Sequence, residues 1–88
     1  MTTSEKYNEE INNKIVKYIL NNFPSEFNEL TLPKDESLYE IGLLDSMGVI
    51  ELVEFLENEF NVRIEDDEIT YEKMGSINKM ILLIISKT

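Results

Sequence analysis

Apolar residues recur every three to four positions over three stretches of this 88-residue chain, and no two segments alternate as paired strands would. That period restricts the chain to helices. The first stretch puts Tyr7, Ile11, Ile15, Tyr18 and Ile19 on one face of a helix from about Ser4 to Asn22, capped by Thr3 or Ser4. Asn21-Asn22-Phe23-Pro24 closes it, because proline drives the residue before it out of helical geometry. A second helix is expected from about Ser46 to Phe60, burying Met47, Ile50, Val53, Leu56 and Phe60, with Asn61 ending it in left-handed geometry. Val62-Arg63-Ile64 then reads as extended, and Glu65 to Ile69 as a short third helix. Ser76 caps a last helix to about Ser86 that buries Ile77, Met80, Ile81, Ile84 and Ile85. Met80 to Ile85 could alone form a strand, but it has no partner.

Between Phe23 and Leu44 no period survives, and Leu30, Leu32, Leu38, Ile41, Leu43 and Leu44 are scattered among acids, Pro33 and Gly42. A loop this long in a compact chain is expected to be pinned by its own apolar side chains, with a helical turn near Glu36 to Ile41. The expected fold is all-α: a small four-helix bundle of three main helices and a short third one, with a long first loop, forming a single domain over residues 1–88. A chain of this length buries only about 60–65% of its unfolded surface, which gives a thin core.

The chain has no cysteine and no histidine. It therefore lacks a disulfide framework, a thiolate nucleophile, the usual general base and the commonest transition-metal ligand. No enzyme activity of its own and no bound metal are expected. The acidic run Glu65-Asp66-Asp67-Glu68 lacks the alternating oxygens, central glycine and terminal glutamate of a calcium loop, and reads as a solvated face. Net charge is −10, unevenly placed: Asp35 to Glu72 holds thirteen acids and one base, Arg63, a local charge of −12. Such a field repels nucleic acid and anionic lipid and draws basic protein surfaces. Met1 to Lys6 lacks the basic and apolar regions of a signal peptide, and the longest apolar run, Met80 to Ile85, is too short to span a bilayer. A cytoplasmic monomer without membrane insertion is the expectation.

The acidic segment centres on Gly42-Leu43-Leu44-Asp45-Ser46-Met47, where loop becomes helix. On its own, Asp45-Ser46 before an apolar run is an N-cap signal. If Asp45 is the cap, the Ser46 hydroxyl is left free, yet with no base near it in sequence it is equipped to be modified rather than to attack. Glu51, Glu54, Glu57 and Glu59 follow on the helix it opens; each alone reads as solvated surface, and together they suit docking to lysine- and arginine-rich patches. Met47 and Val49 could join that contact or sit in the core.

The segment Gly42 to Phe60 resembles the centre of an acyl carrier protein or related peptidyl carrier, and length, helix order, first loop and charge extend the resemblance over most of the chain. It implies that Ser46 accepts a covalent 4′-phosphopantetheine from coenzyme A, with Asp45 completing the motif. The arm's thiol would hold cargo as a thioester. The helix after Ser46 would then be the partner-recognition helix, with Met47, Val49, Glu51, Glu54 and Glu57 as its contact residues. The implied partners are a phosphopantetheinyl transferase and acyl- or aminoacyl-activating ligases or synthases with basic patches. Gly42 lies four residues before Ser46 and Gly48 two after, and Leu-Leu-Asp-Ser-Met-Gly is similar to D-alanyl carriers and other free-standing carriers fed by adenylating ligases. Aminoacyl or specialised acyl cargo is thus expected over ordinary fatty-acid intermediates. The alternative is an unmodified acidic helical adaptor that binds a basic protein.

Overall fold

The computed structural model describes residues 3–88, with side chains from Tyr7 onward except that of Tyr71. The expected Thr3 or Ser4 cap lies outside the described side chains. Four helices follow in order: α1 (Thr3–Asn22), α2 (Ser46–Phe60), α3 (Tyr71–Met74) and α4 (Ile77–Lys87), with a 3-10 turn at Asp66–Glu68 and no strand among the described residues. Helix α1 buries Ile11, Ile15, Val16 and Ile19 and packs along α4, which contributes Ile77, Met80, Ile81, Leu83 and Ile84 to the same core.

Helix α2 is rotated from its expected setting. Its buried residues are Gly48, Val49, Leu52, Val53 and Leu56, whereas Met47 is 72% and Ile50 51% exposed. A strict three-residue walk from Met47 through Ile50 and Val53 drifts by about 60° per step on a 3.6-residue helix, so it cannot keep to one face. Spacing that alternates three and four, from Val49 through Leu52 and Val53 to Leu56, does. Asn61 ends the helix at φ 54°, ψ 48°, with its N–H donated to the Glu57 carbonyl.

The third helix also lies elsewhere. Only one 3-10 turn forms in the acidic run, and α3 starts after Thr70, whose Oγ1 accepts the Lys73 N–H at 3.2 Å while Met74 is wholly buried beneath it. The long first loop is pinned as its leucines imply, with Leu32, Leu38, Leu43 and Leu44 in the core. Leu30 is the exception at 95% exposure. The expected helical turn is a pair of tight turns over residues 38–42, where Ile41 N–H bonds the Ser37 carbonyl and Gly42 N–H that of Tyr39. Leu38 N–H donates to the Gly75 carbonyl at 2.8 Å, which ties this loop to the start of α4. No helix among the described residues is long and apolar enough to cross a membrane.

Candidate functional site

The loop delivers Ser46 through a short series of local constraints. Gly42 turns the chain at φ 82°, a left-handed conformation that side chains disfavour. Leu43 and Leu44 then bury, and their N–H groups both bond the Leu38 carbonyl, at 2.9 and 3.1 Å. Asp45 leaves the turn extended, at φ −123°, ψ −175°. Its carbonyl accepts the first helical bond, from Val49 N–H at 3.0 Å, and its Oδ1 accepts Gly48 N–H at 2.7 Å. Asp45 is therefore the cap, and Ser46 is the first residue of the helix proper.

Two consequences follow for Ser46. It is exposed, and among the described residues its hydroxyl has no hydrogen-bond partner. The N–H groups of Ser46 and Met47 are likewise unbonded there, so the hydroxyl stands beside free backbone donors at the positive end of a 15-residue helix dipole. That arrangement leaves the hydroxyl open to solvent beside the kind of partial positive charge that favours an anion.

Gly48 is buried because the chain crowds it. A Cβ there would lie 3.0 Å from Phe23 Cε1, 3.2 Å from Asp45 Oδ1 and 3.5 Å from Leu44 Cδ2. Glycine at this position gives up about 1 kcal/mol of helix propensity in exchange for that close approach.

Of the expected contact residues, Met47, Glu51 and Glu54 lie exposed one helical turn apart, with Ile50 among them. Neither acid is paired with a cation among the described residues. Their charge is felt across the α1–α2 seam: the Tyr18 hydroxyl donates to the Glu51 carbonyl, and its pKa is pushed up by burial and then by Glu51 and Glu54. Ile50 belongs to this face although its regular spacing assigned it to the core. Val49 is corrected in the opposite sense. At 6% exposure it packs inward, because it falls on the side of α2 opposite Met47 and Glu51. Glu57 is half-buried and its Oε2 accepts the Ile64 N–H at 3.0 Å, fastening the segment after α2 to the helix. Glu59 pairs with Lys14 at 3.1 Å.

An all-helical bundle that presents a free serine at a helix start, beside unpaired acids and exposed apolar side chains, has the form of a carrier domain. Residues 19–84 match the profile of the family described as Phosphopantetheine attachment site. The chain belongs to that family, and covalently attached phosphopantetheine is its prosthetic group. Carriers of this class are not themselves enzymes. The chain is 40% identical over 48 residues to a D-alanyl carrier protein of Streptococcus uberis, covering 54% of this chain and 61% of that protein. It is also 40% identical over 47 residues to one of Streptococcus sanguinis, covering 53% and 60%. The matched stretch thus spans about six tenths of these relatives' length. The fold is similar to that of an acyl carrier protein from Enterococcus faecalis, with TM-score 0.76, 27% identity, and 92% and 98% of the two chains covered. An acyl carrier protein from Thermotoga maritima gives TM-score 0.69 at 31% identity, covering 91% and 88%.

Proposed function

We propose that Ser46 is the attachment residue and that the chain is a carrier of aminoacyl or specialised acyl groups. The observation that carries this reading is the division of labour at the α2 start: Asp45 takes the capping bond, leaving the Ser46 hydroxyl exposed and unbonded. During loading, Ser46 Oγ forms a bond to the β-phosphorus of coenzyme A. The bond from that phosphorus to the adenosine bisphosphate breaks, and the serine proton passes to a base on a separate transferase. The new phosphodiester then rests at the positive helix end, an interaction of about 0.3–1 kcal/mol at an exposed site. When bound, the arm supplies a thiol that holds cargo as a thioester.

The face of Met47, Ile50, Glu51 and Glu54 docks the transferase and the adenylating ligase that loads the cargo. Exposed charge pairs contribute under about 1 kcal/mol each but speed encounter, which suits a protein that must leave every partner. Its two exposed apolar side chains add contact area at the centre of that face. The D-alanyl relatives and the Gly42 and Gly48 placement favour aminoacyl cargo. Dependence on coenzyme A and on adenylate chemistry places this work in the cytoplasm. Intact mass after incubation with a broad-specificity phosphopantetheinyl transferase and coenzyme A tests the attachment. One arm should add to the wild type and none to Ser46→Ala. No addition to the wild type would leave the acidic adaptor as the better description.

A further inference from the structure

We infer that Phe23, 23 residues before the modified serine, is a positioning residue for the modification of Ser46, acting through Gly48. The inference rests on Ser46 being the attachment site and adds to that reading what holds the serine in place. Phe23 is the first residue after α1, and its N–H continues the helical ladder to the Ile19 carbonyl at 2.9 Å. Its ring reaches the first turn of α2, where Cε1 lies 3.0 Å from the point a Gly48 Cβ would occupy; Asp45 Oδ1 lies 3.2 Å from the same point. The ring and the capping carboxylate thus both crowd the space beside the Gly48 Cα. Gly48 also carries the N–H that Asp45 must hold to leave Ser46 free.

The ring is fixed from behind as well. Tyr18 meets Phe23 edge to face, with centroids 6.1 Å apart at 74°, and Tyr18 stacks on Phe55 of α2 at 4.1 Å and 11°. The Tyr18 hydroxyl adds its bond to the Glu51 carbonyl. Phe23 thereby lies between Tyr18 of α1 and the first turn of α2, and it couples the packing of the two helices to the turn carrying Ser46. Asp45 itself is exposed, so without a wall behind Gly48 its side chain has solvent to turn into. Loss of the wall lets the carboxylate leave the cap and frees the Ser46 hydroxyl to bond the backbone in its place.

The test is transferase kinetics on wild type, Gly48→Ala, Phe23→Leu and the double variant, read by intact mass, with thermal unfolding of each. Gly48→Ala drives the ring or the carboxylate back by a few tenths of an ångström while improving helix propensity. Its kcat should fall about three- to tenfold, with KM within about twofold and no loss of thermal stability, the pattern of an interaction used at the transition state. Phe23→Leu should lower kcat similarly. In the double variant the smaller side chain makes room for the new methyl, so kcat should recover to within about threefold of wild type instead of falling by the product of the two losses. Wild-type kcat in both single variants, or losses that simply multiply, would overturn the inference. If the wild type takes no arm, it is the Ser46 assignment that fails, and the two failures are separable. If Phe23→Leu does not fold, Gly48→Ala decides alone, since a fall in kcat without a fall in stability is not an effect of core loss.

Discussion

Helices α2 and α4 both begin at a serine, and the two serines are used in opposite ways. Ser76 is 3% exposed and is itself the cap of α4, its Oγ accepting Lys79 N–H at 3.2 Å. Ser46 is exposed, stands one position inside α2, and makes no such bond because Asp45 has taken the capping role. The difference is one residue of register. A hydroxyl in the cap position is spent on the backbone, and moving the cap back by one residue to an acid leaves the hydroxyl unbonded. Residue type and helix position alone would have classed the two together.

The sharpest break in that comparison comes from deleting each hydroxyl. Ser46→Ala should abolish arm attachment by intact mass and shift stability by under about 0.5 kcal/mol, as expected for an exposed side chain without a bond. Ser76→Ala should do the reverse, keeping attachment and costing about 1 kcal/mol in denaturant unfolding through loss of a cap. Asp45→Ala joins the two effects: it removes the Gly48 bond, should cost about 1 kcal/mol, and should slow attachment, since Ser46 can then turn back to the unfilled donor. Full-speed attachment in Asp45→Ala would show that the capping register does not matter to the serine.

Much of this was legible in the sequence because helix ends are written locally. Asp45-Ser46, Asn61 and Ser76 each mark a terminus by side-chain chemistry within a few residues, and each lies where that chemistry places it. The facing of α2 was not legible in the same way. Met47 and Ile50 are apolar and point outward, so a rule that buries apolar residues turns the helix by about a quarter of a turn and misplaces Val49. That rule fails wherever apolar side chains stay on the surface. The tie from Glu57 to Ile64 was not legible either, because its partner lies beyond the end of the helix that carries Glu57. Phe23 left no local trace at all: its contact with Gly48 exists only once α1 and α2 are packed. The start of α3 did have a signal, Thr70 with Met74 four residues on, obscured by the acidic run just before it.

A smaller effect separates the outward face of α2 from the acids that serve the fold. Glu51→Lys with Glu54→Lys should slow attachment or loading about three- to tenfold at low salt, and the gap should narrow as salt screens the encounter. Unfolding should change by well under the cost of a cap, because neither acid holds a partner. Glu57→Gln should leave the rates near wild type and loosen the chain at Ile64, whose N–H would lose a charged acceptor. Equal rate losses in the two variants would mean that charge near Ser46 acts without regard to which way it points.

The smallest predicted effect concerns the far end of α4, where structure is held by an ion pair with no part in the site. Lys87 Nζ bonds Glu68 Oε1 at 2.7 Å, and the Glu65 N–H donates to the same oxygen at 2.9 Å. The Lys87 bond first and the backbone bond second hold the Glu68 carboxyl below its ordinary value of 4.5, against a weaker upward push from burial. A carboxyl depressed in the folded state leaves that state with fewer bound protons than the unfolded chain between the two pKa values. Its stabilisation is complete above about pH 4.5 and is lost as pH falls through the lower, folded value. Amide exchange in the last turn of α4 should therefore quicken in the wild type below that pH, while Met80, bonded back to the Ser76 carbonyl, stays protected. Glu68→Gln should show the faster exchange at every pH and yet accept the arm at the wild-type rate at pH 7. A slowed rate in Glu68→Gln would show that α4 anchoring reaches Ser46, through the Leu38–Gly75 bond that joins the first loop to the start of α4.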